Sequence, residues 1–169
     1  QTKAATLAIA DHVGPVYLRF GRPKVPVFTN PNQKFEIGKG IKLIEGNDVT
    51  IAATGHLVWE SIEAAKILNQ SGISAEVINI HTIKPLDEKI ILESVSKTKC
   101  IVSAEEHNYL GGLGESISRV LSKNMPLPQE FVATKDTFGE SGTPAELMKK
   151  YGLNSDSIVE KVKKVINRK

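Results

Sequence analysis

Histidines and carboxylates recur where short apolar segments of the sequence end. The four places are 54–56 (TGH), 81–84 (HTIK), 105–107 (EEH) and Asp136. If the apolar segments are parallel strands, these residues meet at one edge of a sheet, which is where open α/β sheets bind ligands. Histidine beside carboxylate suits metal binding or acid–base chemistry.

The spacing of these residues argues against a metal or acid–base centre. No two histidines have the spacing of two ligands on one helix face. Glu105 and Glu106 are consecutive, so we expect their side chains to point apart. We therefore favour hydrogen-bonded loop anchors and an interdomain contact surface, and we predict no metal ligand.

A glycine-rich segment, GGLG at 111–114, follows the third apolar segment and precedes a helical pattern. Backbone N–H groups at such a helix start can hold an anion. The segment lacks the full dinucleotide fingerprint and the Lys-Ser/Thr continuation of a P-loop. Two interpretations stay open: an anion site in a stand-alone regulatory or interaction module, and close packing of a helix on a strand.

Two arginines flank the end of a predicted strand at 16–20. Arg19 and Arg22 stand at the start of a stretch, 21–33, whose three prolines are typical of an interdomain linker. An arginine there can reach into a cleft and bind a phosphate through two hydrogen bonds. The alternative is a salt bridge that ties the linker down. For Arg22 both hypotheses stay open.

The elements that must position these residues alternate along the chain. Strands are predicted at 42–44, 49–53, 75–81, 100–104 and 131–133, and helices at 57–70, from Asp87, from about Gly112, from Thr143 to Tyr151, and from Ser157. Asp87 and Thr143 are predicted N-caps, the latter in a capping box with Glu146. The pattern predicts a mostly parallel five-stranded sheet with helices on both faces and one antiparallel edge strand.

Composition excludes several classes of protein. At 40% hydrophobic and 24% charged residues, the 169-residue chain is not of the disordered class and can bury one core. No apolar run approaches the ~20 residues of a membrane span. The single cysteine, Cys100, fits a reducing, cytoplasmic compartment. A net charge of +3 and 5% aromatic residues argue against nucleic-acid binding.

The start of the sequence suggests a piece of a longer protein. It begins with Gln1, and its only methionines are Met125 and Met148. We expect a boundary near residue 35, so that the first residues are the tail of a domain whose body lies upstream.

Several motifs, taken in order, resemble transketolases. GPVYLRFGR at 14–22 resembles the end of their pyrimidine-binding domain. Further motifs resemble the C-terminal domain of transketolases. They are DVTI with TG at 48–55, IKPLD at 83–87, EEH followed by GGLG, DTFGESG at 136–142 and YGL at 151–153. The chain is similar to the C-terminal section of transketolases split into two polypeptides. Residues 1–35 would be the tail and linker of the pyrimidine-binding domain, and 36–169 the C-terminal domain.

The resemblance implies an enzyme that transfers a two-carbon ketol unit between sugar phosphates, as in the pentose phosphate pathway, with thiamine diphosphate and a divalent metal. In that family the cofactor, the metal, the catalytic glutamate and the substrate histidines lie in parts that match no position here. We therefore expect no catalytic, cofactor-binding or metal-binding residue in this chain, and no activity from the chain alone. The family arginine that binds substrate phosphate matches Arg22.

The resemblance also implies partners. These are an N-terminal transketolase section, in the same chain or a separate subunit, and further copies in a homo-oligomer, most simply a dimer. Glu105, Glu106 and His107 are assigned an interdomain or dimer contact. Two relatives that share the domain remain alternatives: 1-deoxyxylulose-5-phosphate synthase and the beta subunit of 2-oxoacid dehydrogenases. DTFGESG and FGRP look more like transketolase than either.

Overall fold

Five strands form the centre of the molecule in a computed structural model that describes residues 1–21, 24–30 and 33–169. They are β1 (Ile41–Ile44), β2 (Val49–Ala53), β3 (Ala75–Asn79), β4 (Ile101–Asn108) and β5 (Gln129–Thr134). The order across the sheet is β1-β3-β2-β4-β5. β1 runs antiparallel to β3, and every other neighbouring pair is parallel. The predicted sheet with one antiparallel edge strand is confirmed.

Helices cover both faces of this sheet. They are α1 (Thr2–Ala10), α2 (Leu57–Gln70), α3 (Glu88–Thr98), α4 (Leu113–Asn124), α5 (Pro144–Lys150) and α6 (Ser155–Ile166). Apolar residues of α2 and α6 share one buried cluster with the sheet, and those of α3 and α4 share another on the opposite face. All five residues of β2 are buried, as expected for a central strand covered on both sides. No helix in the described ranges is long and apolar enough to span a bilayer.

Local capping signals set where most helices begin. The Asp87 carboxylate accepts a hydrogen bond from the Ile90 N–H, so Asp87 is the N-cap of α3, as predicted. Thr143 and Glu146 form the predicted capping box of α5. The predicted start of the last helix at Ser157 is wrong. The Asn154 side chain accepts the Ser157 N–H at 3.0 Å, so α6 begins two residues earlier, at Ser155.

The predicted strand at 16–20 is also wrong. These residues have no ladder partner in the described part of the chain, and Tyr17 and Phe20 are exposed. Alternating apolar residues form a strand only where a neighbouring strand accepts their hydrogen bonds, and the sheet ends at β1 and β5. The helix α1 precedes this segment and was not predicted.

The last helix is held to the sheet by Glu130 of β5. Lys164 and Arg168 approach its carboxylate at 3.1 and 2.6 Å. Burial alone would raise the pKa of Glu130, but the hydrogen bonds from Lys164 and Arg168 outweigh burial and hold the pKa below its usual value. Part of the basic C-terminal face therefore serves to dock α6.

Candidate functional site

The carboxyl ends of β2 and β4 bring together two of the residues that the sequence singled out. The strands are parallel neighbours, with Ala53 opposite Ala104. His56 lies just beyond β2, and its Nδ1 is 3.0 Å from Oε2 of Glu106. The two side chains are partly exposed, at 18% and 37%. The two side chains are within hydrogen-bonding distance of each other at the sheet edge.

Glu105 points away from this pair, as its position next to Glu106 predicts. Its carboxylate is buried and accepts the N–H groups of Leu113 and Gly114 at 2.7 and 2.8 Å. A carboxylate is favoured there because the N-terminus of a helix carries partial positive charge. Glu105 is therefore an internal cap of α4 rather than a surface contact.

Close approaches account for two glycines of the segment 111–114, one against the Glu105 cap and one against Phe131. A Cβ on Gly112 would lie 2.2 Å from Oε2 of Glu105, and one on Gly114 would lie 2.4 Å from the Phe131 ring. The Gly111 N–H donates to Glu115 at 2.8 Å. The N–H groups that could have held an external anion thus bind the chain's own carboxylates, which favours the close-packing interpretation of this segment.

His107 and Asp136 stand at the ends of β4 and β5. His107 is exposed, and its Nδ1 is 2.9 Å from the carbonyl oxygen of Asn108. The Asn108 side chain donates to Asp136 at 2.7 Å, which ties the two strand ends together. The EEH residues belong to β4 itself, because the strand continues past a register shift to pair Asn108 with Thr134. The sequence prediction ended this strand at Ala104.

His81 lies at the end of β3 in different surroundings. Its ring stacks on Phe35, with 4.3 Å between ring centroids, and its Nδ1 is 2.9 Å from Oγ1 of Thr82. Burial lowers the pKa of His81, and the nearby Asp87 charge opposes this only in part. The environment favours a neutral, packed histidine.

Arg19 and Gly21 lie at the carboxyl edge of the sheet. Arg19 Nη1 donates to the Glu106 carbonyl oxygen at 3.4 Å, and Gly21 packs on the His56 ring. Further along, Phe28 packs near Trp59, with 6.1 Å between ring centroids. Arg19 thus acts as a linker anchor through a backbone carbonyl. Arg22 lies outside the described residues.

Within residues 1–21, 24–30 and 33–169, no group of three or more His, Cys, Asp or Glu side chains could hold a metal ion. Cys100 is buried, and burial raises the pKa of its thiol. At the carboxyl edge of the sheet, His56 and Glu106 contact each other and also contact Gly21 and Arg19 of the N-terminal segment.

The sequence pattern indicated His56 and Glu106 as candidates but did not predict that they contact each other. It gave no prediction that Gly21 contacts the His56 ring. The signal that could have paired them is the strand order. Once β2 and β4 are taken as neighbours, residues just past their matched ends must lie side by side. The close approach of Gly21 had a weaker signal, a glycine between two arginines.

Comparison with known proteins places the chain in a family. The transketolase C-terminal domain model matches residues 38–158. A 6-deoxy-6-sulfo-D-fructose transketolase subunit from a Clostridium strain is 43% identical over 169 residues, which is 100% of this chain and 52% of that protein. The 1-deoxy-D-xylulose-5-phosphate synthase of Caldanaerobacter subterraneus is 37% identical over 150 residues, 88% of this chain and 24% of that protein.

A solved structure agrees with the sequence relatives. A split-gene transketolase, solved as an inactive tetramer of four beta subunits, superposes with a TM-score of 0.92 at 43% identity over 97% of this chain and 55% of that chain. The chain thus spans about half the length of the transketolase subunits that it matches. The family model covers most of the chain, including the whole five-stranded sheet. The chain belongs to the transketolase C-terminal domain family.

Proposed function

We propose that the chain is the C-terminal module of a thiamine diphosphate-dependent transketolase, which moves a two-carbon ketol unit between sugar phosphates. The observation that supports this most is the likeness, over nearly the whole chain, to a subunit of a split-gene transketolase. The remaining half of such a subunit and a separate N-terminal section would complete the enzyme. The proposed setting is the cytoplasm and the pentose phosphate pathway.

The module is proposed to be inactive alone and to leave the cofactor to its partner section. The glycine-rich segment 111–114 does not fit a diphosphate, because Leu113 and Gly114 donate their N–H groups to Glu105 rather than to a ligand. Thiamine diphosphate and its divalent metal, which supply the carbanion chemistry of the reaction, are therefore assigned to the N-terminal section. This chain's part is to support the domain that faces the cofactor.

Glu106 and His107 are proposed to form an interdomain or dimer contact. Glu106 already binds both His56 and the N-terminal segment, and His107 is exposed at the same edge. This edge would face the pyrimidine-binding domain. A homo-oligomer, with a dimer as its simplest form, is proposed for the assembled enzyme.

Arg22 is proposed to bind the phosphate of the sugar substrate. It follows Gly21, which is held at the carboxyl edge where α/β proteins bind ligands. In the complete enzyme, Arg22→Ala should raise KM for a sugar phosphate about tenfold or more, because a charge-assisted contact is lost. The same sugar without its phosphate should keep its KM.

Lys24→Ala is the matched control, since Lys24 is an exposed cation on the same linker. It should leave both KM values within about twofold, as expected for a solvated surface charge. An unchanged KM for the sugar phosphate in Arg22→Ala would refute the phosphate-binding role.

One relative supports a second candidate function. The match to a 1-deoxy-D-xylulose-5-phosphate synthase keeps that activity open for the complete enzyme. Product analysis separates the two. Transketolase activity yields sugar phosphates that differ from the substrates by a two-carbon unit, whereas the synthase yields a deoxy sugar phosphate.

A further inference from the structure

We propose that residues 135–150 form an arm through which two copies of this chain associate about a two-fold axis, with Phe138 as the anchor of the contact. The inference rests on the homo-oligomer of the proposed function and names the surface that forms it. The arm follows β5, which ends at Thr134, so it leaves the sheet at the carboxyl edge. It contains α5 and the DTFGESG motif.

The arm gains little burial from its own chain. Residues 135–146 are all exposed, and α5 has no buried residue. The side chain of Phe138 is 97% exposed, so nearly all of its apolar surface faces solvent in a single copy. Most helices in proteins gain their stability by packing an apolar face on another element. The arm therefore has the exposure that is expected of an element that packs against another molecule.

Hydrogen bonds hold the arm in one conformation despite this exposure. The Asn108 side chain donates to Asp136 at 2.7 Å, and the Tyr151 hydroxyl donates to the carbonyl oxygen of Phe138 at 3.3 Å. The capping box fixes the start of α5. An aromatic side chain on a preorganised backbone loses little conformational freedom on binding, so it is well suited to anchor an interface.

The exposed surface continues from the arm onto the turn after β4. The Asn108 side chain that binds Asp136 also accepts the Leu110 N–H at 3.0 Å, so this turn lies beside the start of the arm. Tyr109 and Leu110 are 40% and 45% exposed. A stable interface of standard size uses about 20–30 residues on each side, and residues 135–146 and 109–111 supply much of that number.

The charge of the arm favours a second copy of this chain as its partner. Residues 135–150 include three lysines and three carboxylates, so their formal charges cancel. Lys150 pairs with Glu140, and Glu146 is bound within the capping box. In a two-fold contact each surface faces an identical surface, so an unbalanced charge would repel its own copy. An apolar anchor among balanced charges is compatible with itself.

Sedimentation equilibrium of the 169-residue chain measures this association. We expect a reversible dimer, and Phe138→Ala should raise its dissociation constant about a hundredfold, because each dimer loses two buried phenylalanine side chains. At concentrations where the parent chain is monomeric, Phe138→Ala should unfold at the same urea concentration as the parent, because the ring is 97% exposed.

Val27→Ala is the control for Phe138→Ala. Val27 is 91% exposed on the segment before β1, so it is an exposed apolar side chain outside the arm. Its substitution should leave the dissociation constant within about twofold, as expected for a surface position away from the interface.

A thiol beside Phe138 provides a second measurement. Gly139→Cys introduces it without a clash, because a Cβ on Gly139 would meet no atom within 4 Å, and the native Cys100 is buried. Its reaction with dithionitrobenzoate should slow as the chain concentration rises and dimers form, because the reagent needs an exposed thiol. Lys123→Cys is the control. Lys123 is exposed in the last turn of α4, and its substituted thiol should react at the same rate at every chain concentration.

The outcomes separate this inference from the proposed function. A chain that stays monomeric up to about 1 mM would overturn the association through the arm. An unchanged dissociation constant in Phe138→Ala, or a Gly139→Cys thiol whose reaction rate is independent of chain concentration, would overturn the role of the arm alone. A complete enzyme that contains a single copy of this chain would instead refute the proposed homo-oligomer, and a complete enzyme without ketol transfer would refute the proposed activity.

Discussion

The internal cap of α4 provides a stability prediction that can be worked out from its hydrogen bonds. Glu105 is 2% exposed, and its two oxygens accept the N–H groups of Leu113 and Gly114 at 2.7 and 2.8 Å. Glu105→Ala removes both acceptors and leaves two buried donors without partners. Glu105→Gln keeps one acceptor oxygen and turns an NH₂ group toward the other donor.

Each buried donor left without a partner costs about 1–3 kcal/mol. Glu105→Ala should therefore lower the free energy of unfolding by about 4 kcal/mol, and Glu105→Gln by about 2 kcal/mol. Glu115→Gln is a matched control at the same helix start. Glu115 is exposed and accepts the Gly111 N–H at 2.8 Å, and the glutamine oxygen can keep that bond. Its cost should stay below about 0.5 kcal/mol.

Urea denaturation of the three variants, followed by circular dichroism, measures these differences as shifts of the unfolding midpoint. The expected order of stability is Glu115→Gln, then Glu105→Gln, then Glu105→Ala. Equal stability of Glu105→Gln and Glu115→Gln would show instead that the buried carboxylate contributes no more to stability than the exposed one.

Two further predictions concern the packing of the sheet. Gly46→Ala should lower the free energy of unfolding by about 1–3 kcal/mol, because a Cβ on Gly46 would lie 2.2 Å from the backbone carbon of Ala75. Gly139→Ala is the control and should cost little, because a Cβ there would meet no atom within 4 Å. Equal urea midpoints for the two variants would contradict this prediction. Glu130→Gln should be less stable than the parent chain at neutral pH, and the difference should disappear as the pH falls from the ordinary glutamate range through the lower pKa that Glu130 has in the folded state. A stability difference that stays constant down to about pH 3 would show that the pKa of Glu130 is not lowered on folding.

Local patterns were enough to predict most of the fold. The continuous apolar run of β2 and its Thr-Gly end predict a buried strand, and Asp87 and Thr143 cap their helices through contacts within three residues. The segment 16–20 shows the limit of such patterns. Its alternation is that of a strand, but whether a strand forms depends on a partner elsewhere in the chain.

The site was predicted less fully because its contacts are distant in sequence. His56 and Glu106 meet only because β2 and β4 are neighbours in the sheet. Gly21, which stands at the start of the linker, contacts the His56 ring. The opposite directions of Glu105 and Glu106 follow from their adjacent positions, and this part was foreseen. The role of Glu105 as a helix cap requires the position of α4 as well, which the sequence pattern does not supply.

Titration calorimetry with thiamine diphosphate and Mg²⁺ is the sharpest test of the proposal that this chain supports a ketol transferase whose cofactor binds in another section. We expect saturable binding by the complete enzyme and none by the isolated 169-residue chain. Micromolar binding by the isolated chain, or no binding by the complete enzyme, would overturn this assignment of the cofactor.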